Sequence, residues 1–252
     1  MFREFLMLLL LAHVLGDFYM QTERLAKKKQ ERIRWVLLHA LLYWMASLLA
    51  VLPFLSWPVL LFSSISAGSH LLIDVLKYAF LTRNRRLPPA GERKIFFFDQ
   101  LLHLFFIAIL AFLFAAQGEK LLPIPIVTQM EAITKLPMLT LLAWVTAILL
   151  AHKPANLAIS RVLEPYKPSV EKEGTAQPPQ GDRNAGRFIG TLERLIIIVL
   201  LSRQQYAAIG LVLTAKSVAR YDKITKDAAF AEYYLLGTLL STLLAMIISC
   251  ML

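Results

Sequence analysis

The sequence predicts an all-α protein, a polytopic membrane helix bundle of about eight spans with both termini on the non-cytoplasmic side. Three observations carry that expectation. Hydrophobic residues make up 58% of the 252 positions and charged residues only 17%, giving a mean hydropathy of +0.59. A soluble domain of this size could not hide so much apolar surface in one core. Uncharged stretches recur at about 18 residues or more, the length a helix needs to cross ~30 Å of hydrocarbon. The positive residues gather in short segments between those stretches, as the positive-inside rule requires.

The first span is drawn over 4–22. Arg3 ahead of an apolar run and Val14-Leu15-Gly16 give it a superficial likeness to a signal peptide. His13 and Asp17 sit where such a signal is bland, and a dense basic stretch follows, so the segment reads as a retained helix. Further spans follow over 35–53, 58–81, 95–116 and 137–153, the last continuing as an interfacial helix to about residue 163. Segments 187–203 and 205–220 are short and carry Glu193, Arg194, Lys216 and Arg220, so they read as helices buried among others. A final span covers 231–251.

Loop charge orients the bundle. Arg24, Lys27, Lys28, Lys29, Arg32 and Arg34 follow the first span, and Arg83, Arg85, Arg86, Arg93 and Lys94 follow the third. The loop after the second span has no lysine or arginine, and the loop after the fourth has only Lys120 and Lys135. Segment 153–187 is again basic, and Arg220, Lys223 and Lys226 follow the seventh span. The loops that follow odd-numbered spans are therefore cytoplasmic, and the expected location is the bacterial inner membrane. Residues 164–186 are rich in Pro, Gly and charge and read as a flexible cytoplasmic linker between a front bundle (1–163) and a rear bundle (187–252).

A net charge of +10 would suit a nucleic-acid binder, but no polar domain is present to carry the patch, so nucleic acid is not an expected partner. Cys250 is the sole cysteine, which excludes a disulfide framework and a Cys-based zinc site.

Three helices each hold a histidine and an aspartate four residues apart: His13 with Asp17, His70 with Asp74, and Asp99 with His103. That spacing puts both side chains on one helical face. His39 on the second span is a fourth contributor. Counted inward from the cytoplasmic ends at ~1.5 Å per residue, all seven fall about 6–16 Å below the boundary. Ionisable groups so placed cost about 2.5–3.5 kcal/mol each near a helix centre, so they face the bundle interior and pair. Imidazole with carboxylate is a ligand set for zinc, manganese or iron, zinc being the first choice. The leading reading is a metal centre on His13, Asp17, His70, Asp74, Asp99 and His103, with His39 as ligand or proton shuttle. A proton or cation relay through the same residues is the second reading. Helix packing through hydrogen bonds is the third.

Neighbouring residues fit such a site. Gly16 allows close helix approach, while Gln21 and Gln100 could orient a ligand or substrate. Lys77 could hold a lipid phosphate, pair with Asp74, or snorkel to the interface. Ser63, Ser64, Ser66, Gly68 and Ser69 suit tight packing. The basic loops would draw anionic lipid headgroups, so membrane lipids are expected partners and a lipid-like molecule the expected substrate. Oligomeric state is left open. In the rear bundle, Glu193 and Glu232 are candidate partners for Lys216, Arg220 or Arg194, and Gly186 with Gly190 is a weak packing pattern.

The segments LLLAHVLGDFYMQT, HLLIDVLKY and FFFDQLLHL together resemble the bacterial membrane family called domain of unknown function 3307. GRFIGTLERLIII, AIGLVLTAKSVARY and EYYLLGTLLS resemble the C-terminal region of its longer members. The resemblance implies a membrane fold and transfers no catalytic residue. The His/Asp pattern is also loosely similar to bacterial inner-membrane metal-dependent hydrolases, an analogy of ligand types alone. Metal-assisted hydrolysis of a lipid-like substrate at the cytoplasmic leaflet is the resulting functional expectation.

Overall fold

The computed structural model describes residues 1–84, 87–168 and 180–252, with the side chains of 180–184 set aside. Arg85 and Arg86 of the second basic loop, and 169–179 of the proposed linker, lie outside these residues. Every described element is helical. The chain forms α1 (Phe2–Val14), α2 (Glu23–Glu31), α3 (Ile33–Val51), α4 (Trp57–Arg83), α5 (Pro89–Ala116), α6 (Pro125–Thr134), α7 (Met138–Val162), α8 (Gln180–Ser202), α9 (Tyr206–Val218), α10 (Tyr221–Lys226) and α11 (Ala228–Ser249). Each segment drawn as a span overlaps one of these helices. α8 begins at Gln180, inside the stretch read as linker.

Five described helices are long and apolar enough to cross a membrane: Ile33–Phe54, Trp57–Arg83, Pro89–Ala116, Met138–Val162 and Ala228–Ser249. A sixth is added if Phe2–Met20 and Glu23–Glu31, bent by 89°, form one broken span. The bend has local causes. α1 runs into a π-helical turn over Leu15–Met20. The Thr22 hydroxyl then accepts from Leu25 N at 3.2 Å and starts α2 in a new direction.

Two compact units divide the chain, Met1–Thr146 and Ala147–Leu252. In the first, α1 packs on α3 and α5, α4 packs on α3 and α5, and α2 packs on α3 and α4. Leu37, Leu41, Met45 and Leu49 of α3, and Phe98, Leu101, Phe105 and Phe112 of α5, point outward. Inside lie His13, His39, Ser47, Ser63, Ser66, His70, Asp74, Asp99 and His103. An apolar exterior around a polar centre suits hydrocarbon and not water.

In the second unit α8 packs on α9 and α11. Lys216 donates to Glu193 Oε2 at 2.6 Å, one of the anticipated pairs. Arg194, 1% exposed, departs from the expectation of a carboxylate partner. Its Nε donates to the Ala151 carbonyl at 2.8 Å and Nη1 to Ser241 Oγ at 3.1 Å. Its Nη2 donates to Asn156 Oδ1 at 2.6 Å and Thr191 Oγ1 at 3.3 Å. Consecutive helical residues lie about 100° apart around the axis, so Glu193 and Arg194 face different neighbours.

Candidate functional site

The His/Asp residues of α1, α3, α4 and α5 converge inside the first unit. The π-helical turn carries Asp17 into the centre, and Gly16 makes room for it. A Cβ at position 16 would lie 2.5 Å from Tyr43 Cδ2, so no larger residue fits without moving that ring. Tyr43 stands one turn beyond His39 on α3 and stacks on His70, with centroids 3.7 Å apart and planes 13° apart. His103 stacks on His70 with centroids 4.1 Å apart and planes at 24°. His70 is thus clamped between two rings, which fixes the direction of its Nε2.

Four ligand-type atoms meet there. His39 Nε2 and His70 Nε2 are 3.2 Å apart. Asp17 Oδ1 lies 3.0 Å from the first and 3.2 Å from the second. Asp74 Oδ2 lies 3.5 Å and 3.4 Å from the same two nitrogens. Atoms bound to one tetrahedral zinc at about 2.0–2.1 Å sit about 3.3–3.4 Å from one another, near the five spacings just given. Imidazole and carboxylate are donor types that such a cation takes. Two imidazole nitrogens pointed at each other can share at most one proton, so a cation relieves a contact that a hydrogen bond satisfies only in part.

The surrounding residues hold these atoms in place. Gln100 Nε2 is 3.4 Å from Asp17 Oδ2, and its Oε1 is 3.2 Å from His13 Nε2. The amide oxygen only accepts, so His13 carries its proton on Nε2 and Nδ1 is left with a bare lone pair. His13 Nδ1 is buried without a hydrogen-bond partner among the described residues, 4.0 Å from Asp17 Oδ2. His13, Asp17 and His70 form one grouping whose ligand atoms all lie within 4.8 Å of one another. His39, His70 and Asp74 form a second, and Asp74, Asp99 and His103 a third.

Two lysines line one side. Lys77 donates to Asp99 Oδ2 at 2.6 Å, not to Asp74 as the sequence reading had offered. Asp74 receives Lys29 instead, at 2.7 Å, and Lys29 also donates to Gln21 Oε1 at 2.9 Å. Position 77 is three residues past Asp74, but the long side chain reaches across to Asp99 on α5. Sequence reasoning counted Lys29 as a topology charge and missed it. The only signal was its place on a helix that Thr22 could cap. Tyr43 was also missed, although it sits four residues after His39 and so on the same face.

The opposite side is apolar. Phe5, Phe62 and Phe114 are buried, and Phe5 stacks on Phe114 at 4.0 Å between centroids. Phe62 meets both edge-on, at 6.3 Å and 5.5 Å. Phe5 and Phe62 lie two turns before His13 and His70 on their own helices, and Phe114 three turns beyond His103. Together they close the bundle above the centre. Lys29 and Lys77 side chains, 14% and 30% exposed, mark the open side.

The fold and this centre define a class: an all-helical protein with membrane-length helices packed around an interior His/Asp cluster. The chain belongs to the family described as "Protein of unknown function (DUF3307)", whose model matches residues 5–130, half of its length. Every residue of the cluster lies within the matched part. The rear motifs likened to longer members lie beyond it. No curated protein and no solved structure matches the chain.

Proposed function

We propose that this protein is a multi-pass protein of the bacterial inner membrane that holds a divalent metal, zinc first, and hydrolyses a lipid-like substrate at the cytoplasmic leaflet. The observation that carries the reading is the meeting of His39 Nε2, His70 Nε2, Asp17 Oδ1 and Asp74 Oδ2 at 3.0–3.5 Å inside the bundle. A cation held there with one of its positions left open would supply Lewis acidity toward an ester or phosphoester oxygen and would make water a nucleophile near neutral pH. The chain's own residues do the rest. Gln100 fixes the His13 tautomer and one oxygen of Asp17. Lys29 and Lys77 hold Asp74 and Asp99 and present positive charge on the open side, where an anionic headgroup would arrive. The Phe5, Phe62 and Phe114 cluster keeps water out of the far side.

The basic loops orient the chain with both termini outside. α9 has 13 residues, about 20 Å of helix, short of a full crossing. Eight crossings, or six with α8 and α9 entering and leaving on one side, give the same orientation.

Elemental analysis of detergent-purified protein after a chelator wash tests the centre. Wild type is expected to retain zinc, and His70→Ala and Asp74→Ala to lose it while still inserting in the membrane. Absence of metal from wild type, or equal metal in both variants, sinks the reading. Phospholipid vesicles then serve as substrate, with hydrolysis expected from the zinc form only.

A relay is the second reading, favoured by the 3.2 Å contact between His39 and His70. It requires a polar path past the three phenylalanines. Zinc-independent proton flux in liposomes would establish it in place of hydrolysis.

A further inference from the structure

Two ligand-type atoms at the centre remain unused by the four-atom set. Asp99 Oδ1 and His103 Nε2 are both buried, and neither has a hydrogen-bond partner among the described residues. They lie 3.7 Å apart, too far for a hydrogen bond between them and close to the spacing of two ligands on one cation. Asp74 joins them, its carboxylate falling with both inside a 4.8 Å grouping. Burying two such lone pairs without a donor costs on the order of 1–3 kcal/mol each. Helix packing alone gives no return for that cost, because leucine at position 103 would fill the same space.

From this geometry we infer that the centre has a second cation position, formed by Asp74, Asp99 and His103, with Asp74 shared between the two. The inference rests on the metal reading above and extends it from one ion to a pair. The lysines fall into place as positioning residues. Asp99 offers Oδ1 to the cation while its Oδ2 accepts from Lys77, the arrangement by which outer partners fix a ligating carboxylate. Lys29 holds Asp74 through Oδ2, the oxygen that also faces His39 and His70. The stack of His103 on His70 holds the two positions at a fixed separation, since neither ring turns without displacing the other. Two ions so held would clamp the attacking and leaving oxygens of a phosphoester.

The test counts ions. The detergent-purified full chain is stripped with chelator, reloaded with zinc alone at graded concentrations, desalted and analysed for metal. Wild type is expected to hold two equivalents. His103→Ala and Asp99→Asn are expected to hold one, each eluting as monodisperse protein. One equivalent in wild type, retained in both variants, overturns the second position and leaves the first standing. One equivalent that rises to two in Lys77→Gln identifies the ammonium as the resident cation and overturns it as well. No zinc in wild type overturns the first position and the second together.

Discussion

Arg194 of the second unit and the His/Asp centre of the first bury polar groups in opposite ways. In the second unit Arg194 is enclosed by four neutral acceptors on α7, α8 and α11. In the first unit the centre gathers three aspartates and four histidines, yet five of their atoms have no hydrogen-bond partner among the described residues: His13 Nδ1, His39 Nδ1, His70 Nδ1, Asp99 Oδ1 and His103 Nε2. A polar group that serves packing is satisfied, since an orphan costs more than an apolar replacement. A group kept for a ligand tolerates the deficit. Arg194 follows the first rule, and the proposed metal centre requires the second.

Arg194→Met gives the largest expected effect. It strips donors from the Ala151 carbonyl, Asn156 and Ser241 at once, at a cost on the order of 3 kcal/mol or more for a charged, buried network. Thermal unfolding in detergent reads this as a clear fall in Tm, with zinc content unchanged in the folded fraction. An unaltered Tm would break the contrast from the side of the second unit.

Gly16→Ala comes next. Its methyl would press on Tyr43, and through the stacked pair on His70, so the damage is expected in affinity more than in folding. Disturbing a ligand's support weakens metal binding by about 10–100-fold, which zinc titration against a competing chelator would resolve. Affinity equal to wild type would show that the Tyr43 clamp is dispensable.

The smallest expected shift is the sharpest test. His103→Leu removes a nitrogen that has no bond to lose, so metal-free protein is expected to unfold within about 1 kcal/mol of wild type, or later. A loss of several kcal/mol would mean that His103 is a packing residue after all, and the centre would then follow the same rule as Arg194.

Much of this could be read before the structure. Apolar length located the membrane helices, and the four-residue spacing put each histidine and aspartate on one face, so three helices pointing inward were enough to foresee the cluster. Lys29 was hidden because a lysine in a basic loop looks like every other orienting charge. Its role depends on the 89° turn at Met20–Glu23, which hydropathy does not register. The pairing of Lys77 with Asp99 and not Asp74 is a matter of which helix lies alongside. That is a property of three-dimensional packing and not of spacing. The neutral surroundings of Arg194 were hidden for the same reason, because sequence favours the oppositely charged residue next door over an asparagine 38 positions away.

The order of the centre's parts along the chain has a consequence for biogenesis. Asp17 lies on the π-helical turn that ends α1, and Gln100, which donates to it, on α5. During synthesis the aspartate of α1 therefore waits, without that partner, until α5 has emerged. The centre closes only when α5 arrives, after His39 of α3 and His70 of α4 have already come within reach of Asp17.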